Sequence, residues 1–235
     1  MRGNLFGISR RQLELLIALT VIVIGAALVF GVTRSGRRVV FLGELNDQKI
    51  IIEDEKVEVV SAWLEMVSGQ MTIRSGSDAA VEVDLRTTYT EDRPQADYSV
   101  DYGVGLLRVT QPVSSDPILL GGRRVNEWDV KLGQALPLGL AIGVHNDSTL
   151  NIDLRQHIHQ NLVISLVIDA SAVTIYLPPQ VGVRVTVDQR GGALHIALPR
   201  QEGEEAVYAN AAYGQADVRF EIAITTTGDS HVTVR

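Results

Sequence analysis

Two histidines separated by one residue have the spacing closest to a metal site in this sequence. In an extended strand, His157 and His159 would project from the same face, so that two imidazoles could reach one ion. A third ligand would have to come from Asp153 or His145. The alternative is a solvated turn between two strands, since two ligands alone do not make a credible site. We predict no metal and no cofactor.

A pair of carboxylates flanks one of the two tryptophans. Glu127 and Asp129 would share one face of a strand, with Trp128 on the other. Two acids about 6–7 Å apart beside an aromatic ring could serve glycoside hydrolysis, in which they stand on either side of the scissile bond. A groove holding both acids and a nearby cation would support that role. We favour the alternative, an outward acidic face behind a core tryptophan, and predict no catalytic residues.

Patterns of nucleophilic and nucleotide chemistry are missing from the sequence. Ser61, Ser165 and Ser171 lie in no nucleophile-elbow pattern, and no phosphate loop or dinucleotide fingerprint leads from a strand into a helix. The chain has no cysteine, which excludes disulfides, thiolate metal sites and cysteine nucleophiles. Tyr208 and Tyr213 could form an aromatic contact patch, or a cap over the last structural repeat. The sequence therefore favours a protein that is not an enzyme.

The elements that would position these side chains are short β-strands. From residue 57 onward, apolar and polar residues alternate with a period of two, which is typical of strands with one buried face. Turn-forming residues separate the strands. The pattern predicts strands at 71–74, 80–89, 106–111, 127–132, 138–144, 150–154, 162–168, 173–177, 183–187, 194–198, 218–225 and 231–234.

Three of these segments resemble copies of one unit. Residues 148–154, 171–177 and 192–198 each place a small or polar residue before an alternating run that ends in leucine. The closing residues Leu154, Leu177 and Leu198 are 23 and 21 positions apart, which fits one rung of a β-solenoid. Proline follows the second and third leucines and would end the strand there. We predict an all-β fold, a β-solenoid or β-helix-like stack, with an antiparallel sandwich as the alternative.

The N-terminal part predicts a membrane anchor. A run of 18 residues without a charge begins at Leu15 and ends at Val32, and as a helix it would be about 27 Å long, close to the roughly 30 Å hydrocarbon core. Arg10 and Arg11 flank its start, and Arg34, Arg37 and Arg38 flank its end. The short tail before it is typical of a signal anchor that exports the following domain. A cleaved signal peptide and a buried core helix are the alternatives.

The predicted organisation has four parts. They are an N-terminal tail at 1–12, one transmembrane helix at 13–33, a juxtamembrane linker at 34–56 and the β-solenoid domain at 57–235. The net charge of −7 combines +5 in residues 1–38 with −12 in the remainder. Because so acidic a domain is repelled by phosphates, we predict no nucleic acid partner.

Several motifs of the strand region resemble a known family. They are residues 63–73, with Ser68 and Gly69 before the strand; the run Asn-Glu-Trp-Asp-Val-Lys-Leu at 126–132; Leu-Pro-Leu-Gly-Leu at 136–140; and residues 150–154. Over roughly residues 57–200 the chain resembles the toast-rack domains of bacterial membrane proteins related to the cell-wall-active antibiotic response (LiaF-like) family. It departs from the family where rung corners tend to read Gly-Ala-Gly, and in having one membrane helix instead of several.

The resemblance implies a β-solenoid attached to a membrane helix, used in envelope sensing or assembly, without catalytic residues. We therefore expect a membrane-anchored, non-catalytic binding or scaffold protein of the bacterial envelope, with an extracytoplasmic domain and a protein partner. One alternative is an accessory subunit of a larger membrane complex, packed through the small residues Gly25, Ala26 and Ala27. A less favoured alternative is a polysaccharide-acting β-helix enzyme.

Overall fold

The alternating pattern produces strands throughout the part of the chain that the structure describes. This computed structural model describes residues 39–41, 46–52, 57–88, 93–112, 118–120, 125–134, 136, 138–156 and 159–235. The predicted tail at 1–12, the predicted transmembrane helix at 13–33 with its three small residues, and His157 lie outside these residues. Among the residues that are described, no helix has the length and apolar character to cross a membrane.

Eighteen strands are present in the described residues. They are β1 (Val39–Phe41), β2 (Asn46–Ile52), β3 (Val59–Met66), β4 (Gln70–Ser77), β5 (Val81–Thr87), β6 (Gln95–Asp101), β7 (Val104–Thr110), β8 (Ile118–Leu120), β9 (Asn126–Gly133), β10 (Leu138–Val144), β11 (Thr149–Asp153), β12 (Leu162–Asp169), β13 (Ala172–Tyr176), β14 (Gly182–Gln189), β15 (Ala193–Ile196), β16 (Val207–Ala209), β17 (Arg219–Thr227) and β18 (His231–Val234). The prediction of an all-β fold is confirmed for this part of the chain.

The strands form two large sheets and one small one. Sheet 1 has the order β16-β14-β17-β12-β10-β3-β7-β6, and sheet 2 has the order β15-β18-β13-β11-β4-β9-β5-β2. The small sheet pairs β1 with β8 in parallel and belongs to a separate compact unit, residues 1–42 and 114–122. Both large sheets belong to the other unit, residues 43–113 and 123–235. β2 falls within the segment assigned to the juxtamembrane linker.

Each rung of the larger unit is a strand of sheet 1 followed by a strand of sheet 2. The six rungs are β3/β4, β7/β9, β10/β11, β12/β13, β14/β15 and β17/β18, and neighbouring rungs pair in parallel. Antiparallel strands occur toward the ends of the sheets, where β5, β2 and β6 follow one terminal rung and β16 pairs with β14 of the other. The pairing is that of a stack and not of an antiparallel sandwich.

The inward side chains of both sheets meet in one apolar core. Strand β3 alternates between exposed and buried residues, with Ala62, Leu64 and Met66 fully buried. Ile73 and Ile152 are fully buried on the sheet 2 side of the same core. Burying a side chain of this kind stabilises the fold by roughly 1.5–3 kcal/mol, so the alternation itself fixes which face of each strand turns inward.

A column of small residues forms the corner between the two sheets. Gly69, Ser148, Ser171, Ser230 and Gly192 occupy equivalent positions, each just before a sheet 2 strand. The three serines are buried, and each hydroxyl donates to a main-chain carbonyl at the end of the preceding sheet 1 strand, at 2.5–2.8 Å. These bonds satisfy carbonyls that the turn removes from the sheet ladder.

The predicted repeat is present in register, but the rungs do not stack in the order of the chain. Ile152 and Ile175 are paired, and Val234 lies between Ile175 and Ile196, so the closing leucines two residues later are equivalent. The third copy does not lie on the second, however, because β17/β18 is inserted between them. At the other end, β7/β9 stacks on the far side of β3/β4. Residues 69–73 and 230–234 are two further copies of the unit, which the sequence pattern did not predict.

Candidate functional site

The outer faces of the two sheets differ in chemistry, which makes each a candidate site. The outer face of sheet 2 carries charged side chains on β2, β5, β9 and β4, and the outer face of sheet 1 carries exposed apolar ones on β3, β7 and β12. Both faces result from the same alternation that builds the core.

The charged face of sheet 2 forms an open groove crossed by ion pairs. Glu82 accepts from Lys49 Nζ at 2.6 Å and from Lys131 Nζ at 3.0 Å, and only 15% of its side chain is exposed. The hydrogen bond from Lys49, followed by that from Lys131, lowers the pKa of Glu82 from its ordinary value near 4.5. Asp47 and Arg86 extend the network, with 3.3 Å between carboxylate and guanidinium. Paired charges of this kind hold adjacent strands in register.

The predicted carboxylate pair lies in this groove. Glu127 and Asp129 line it together with Arg74 and Arg86, so the nearby cations that would favour an enzyme are present. Those cations bind the acids, however: Arg74 donates to Asp129 at 2.5 Å, and Arg86 lies 3.7 Å from Glu127. Both carboxylates are therefore salt-bridge partners of arginines on neighbouring strands. Trp128 between them points into the core.

Among the described residues, the candidate metal ligands Asp153, His145 and His159 do not form one cluster. Asp153 is paired with Arg155 at 2.6 Å, and hydrogen bonds from Arg155 lower the pKa of Asp153. His145 lies 3.9 Å from Glu65, on a different face from Asp153. No group of three or more potential metal ligands is found in the part of the chain that the structure describes.

The serines and tyrosines have structural surroundings. Ser171 is the buried corner serine, whereas Ser61 and Ser165 lie exposed on the outer face of sheet 1. Tyr208, on β16, packs against the core beside the end of the stack, which is the capping role. Tyr213 instead donates its hydroxyl to Glu221 at 2.8 Å.

A buried amide cluster, not foreseen from the sequence, joins the corner of one rung to the next. Asn126 donates to the Ser68 carbonyl at 2.5 Å and to Gln111 Oε1 at 2.9 Å, and it accepts from the Trp128 indole N–H at 2.9 Å. Gln111 Oε1 also accepts from the main-chain N–H groups of Val67 and Ser68. The spacing Asn-x-Trp was the only signal, since the partners lie 15 to 58 residues away.

An apolar trough runs along the outer face of sheet 1. Its floor is β10, whose outward residues are Gly139, Ala141 and Gly143. On one side stands Trp63 of β3, directly beside Ala141 and 49% exposed. The opposite wall is on β12, where Val163, 55% exposed, and Val167 flank Ser165, the residue paired with Ala141. We call these residues, 63, 139, 141, 143, 163 and 167, the trough.

The indole ring of Trp63 is in contact with Arg108 on β7. Arg108 is paired with Trp63 in the ladder, and its guanidinium lies 4.9 Å from the centre of the indole ring. A cation over an aromatic face is attractive by about 0.5–1 kcal/mol at an exposed site. Arg108 therefore covers the side of Trp63 toward β7, and the trough lies on the side toward β10.

The trough was not predicted from the sequence, although the small residues of β10 indicate it. Within β10 the outward positions read Gly, Ala, Gly while the inward ones are Leu or Ile. Three small outward residues in succession remove side chains from one strand of the surface, which leaves a channel if neighbouring strands carry large ones. The identity of those neighbours, β3 and β12, depends on the stacking order and is not written in the local sequence.

Comparison with known proteins supports the fold and the family. A candidate cell adhesion protein from Clostridium sporogenes has 18% identity, with 82% of this chain and 100% of that chain covered and a TM-score of 0.61. A candidate adhesin from Bacteroides fragilis has 6% identity over 83% and 100% of the chains, with a TM-score of 0.27. A candidate lipid-binding protein from Parabacteroides distasonis has 9% identity over 84% and 100%, with a TM-score of 0.26. Only the first of these supports a shared fold.

None of the curated proteins compared with the chain is similar to it in sequence. The family model described as the N-terminal domain of toast_rack, DUF2154, matches residues 41–198, which is most of the chain. The chain belongs to the toast-rack family.

Proposed function

We propose that the chain is a non-catalytic binding protein of the bacterial envelope, held at the membrane by residues 13–33, and that its β-stack contacts a protein partner through the trough. The observation that carries the proposal is the exposed trough with Trp63 as its wall. Contiguous exposed apolar surface on a soluble domain marks an interaction site, and tryptophan is enriched where interfaces gain most of their binding energy.

The charged groove of sheet 2 supports the non-catalytic part of the proposal. A glycoside-cleaving pair needs one acid able to donate a proton and another able to act as base or nucleophile. Glu127 and Asp129 each have an arginine as ion-pair partner, at 3.7 Å and 2.5 Å, and such pairing favours the ionised form of both acids over a proton donor. The related fold of the Clostridium sporogenes candidate cell adhesion protein agrees with a binding role.

Anchoring and an extracytoplasmic position are parts of the proposal that the sequence supports. The uncharged run from 15 to 32 has the length of a membrane span, and the acidic domain after it follows a basic N-terminal part. Protease added to intact spheroplasts is expected to degrade the β-stack while leaving an N-terminal cytoplasmic tag intact. Protection of the β-stack, or its release by alkaline carbonate, would contradict this placement.

The contact surface can be tested by placing a photo-crosslinking amino acid at single positions in the full chain. Val163 lies in the trough, and Asn151 is a matched exposed position on the outer face of sheet 2. Irradiation of living cells is expected to give a discrete protein adduct from position 163 and none from position 151. Equal adducts from both positions, or no adduct from either, would contradict the proposed contact surface.

A further inference from the structure

The trough and its wall lie on adjacent strands of one sheet face, so this face carries both a ridge and a channel. Strand β3 presents Ser61, Trp63 and Glu65 outward, and β10 beside it presents only glycine and alanine. A ridge and a channel side by side on one surface are what a two-fold interface requires, because each copy then offers both parts to the other.

We propose that the outer face of sheet 1 binds a second copy of the same chain. The two-fold axis would run parallel to the strands, midway between β3 and β10, in the plane between two facing sheets. Under this rotation β3 of one copy faces β10 of the second copy, β7 faces β12, and β6 faces β17. Trp63 then enters the trough of the second copy over Ala141, between Trp63 and Ser165 of that copy, with Val163 and Val167 on either side of Ser165 along β12.

The side chains match in size across this arrangement. Ser61 is paired in the ladder with Leu106 on one side and Gly139 on the other, and Gly139 is paired with Val163. The axis therefore brings Leu106 of each copy over Val163 of the other, which joins two exposed apolar side chains. An axis perpendicular to the strands would instead bring the two tryptophan ridges together and hold the sheets apart.

The floor of the trough has room for an incoming ring. A Cβ added at Gly139 would meet only the Ser61 hydroxyl, 3.9 Å away, so nothing lies above this position. At Gly143 the space is narrower, because a Cβ there would lie 3.3 Å from His145 Nε2 and 3.5 Å from Glu65 Cγ. The open end of the trough is therefore the end beside Ser61 and Val163.

The available area fits a modest but specific interface. Six strands centred on the axis, at about 4.8 Å spacing and about 23 Å length, give a footprint of roughly 650 Å² per copy, or about 1,300 Å² for two. That value lies at the lower end of the roughly 1,200–2,000 Å² found in specific complexes. The inference rests on the proposed function in one respect, since tethering to one membrane raises the effective concentration of the copies.

The absence of native cysteine allows a sharp test with the full chain in a mild detergent or in its own membrane. Copies carrying Leu106→Cys are mixed with copies carrying Val163→Cys and treated with a short bis-maleimide. The proposed axis predicts a cross-linked dimer from the mixture only, because Leu106 faces Val163 while neither faces itself. An Asn151→Cys chain, labelled on the other sheet, is the matched control and is expected to give no dimer.

A single substitution in the trough should weaken the dimer without unfolding the chain. Ala141 is exposed, so Ala141→Glu places a charge in the trough without touching the core, and it is expected to reduce the mixed cross-link at least about tenfold. Asn151→Glu should leave the cross-link unchanged. Dimers from either cysteine variant alone at equal yield, or no mixed product, would overturn the two-fold arrangement. If position 163 still photo-crosslinks to another protein, the proposed function stands and self-association fails.

Discussion

Replacing Asn126 by alanine removes the centre of the buried amide cluster. The side chain is 6% exposed and makes three hydrogen bonds, to the Ser68 carbonyl, Gln111 and the Trp128 indole. Each such bond contributes about 0.5–1.5 kcal/mol net, and a buried donor left without a partner costs about 1–3 kcal/mol. Because Trp128 is 1% exposed, its indole N–H has no access to bulk water after the change. We expect a loss of about 3–5 kcal/mol in the free energy of unfolding.

Urea unfolding of the full chain in a mild non-ionic detergent, followed by circular dichroism, measures this loss. With a slope of about 2–3 kcal/mol per molar urea, the midpoint should fall by roughly 1–2 M. The matched control is Asn151→Ala, which changes the same residue type on the exposed face of β11 and should shift the free energy by less than about 0.5 kcal/mol. Equal shifts for the two variants would refute the view that the amide cluster ties the rungs together.

Three further outcomes follow from the same structure. Glu82→Gln should lower stability at pH 7, because the hydrogen bonds from Lys49 and Lys131 lower the pKa of Glu82 and so stabilise the fold while Glu82 is ionised. That contribution disappears as the pH falls through the lowered pKa, so the difference from the wild type should vanish in acid. Urea midpoints measured from about pH 7 to about pH 3, across the ordinary pKa near 4.5, test this. Gly203→Ala should lower the free energy of unfolding by about 1–2 kcal/mol, because Gly203 has a φ of +78°. Gly192→Ala should lower it clearly more, because the added Cβ would also lie 2.0 Å from the Ser230 carbonyl oxygen. Thermal unfolding of the two variants measures the difference. Trp63→Ala should cost only about 0.5–1 kcal/mol yet abolish the photo-adduct at position 163.

The positions of the strands could be predicted from the local alternation of apolar and polar residues. The alternation of apolar residues identifies strands such as β10 and β18 to the residue, because one face of each must be buried. The spacing of Leu154, Leu177 and Leu198 correctly predicts equivalent positions, since every rung needs a similar length of chain. These are properties of a few consecutive residues and are visible in any one segment.

The order of the rungs could not be predicted in this way. Rungs of similar length and pattern are interchangeable as far as local sequence is concerned, and their order depends on which pairs of faces pack best. The C-terminal rung β17/β18 lies between β12/β13 and β14/β15, so that β14 is left at the end where β16 pairs with it. An exposed sheet edge is thereby shortened, which is a long-range advantage with no local signature.

The same limit explains the outcome for the candidate sites. Glu127 and Asp129 were correctly expected on one outward face, but their partners Arg86 and Arg74 lie 41 and 55 residues earlier in the chain. The trough needs β3, β10 and β12 side by side, although β3 is far from the other two in sequence. Sites built from several rungs therefore become visible only when the register between rungs is known.

The proposed contact surface, the trough, should be covered in the assembled protein. It can be tested by the rate at which a membrane-impermeant maleimide labels Val163→Cys and Asn151→Cys chains, in intact spheroplasts and again after dilution in detergent. We expect position 163 to be labelled at least about tenfold more slowly than position 151 in spheroplasts, and at a similar rate after dilution. Equal labelling of the two positions in spheroplasts would contradict the claim.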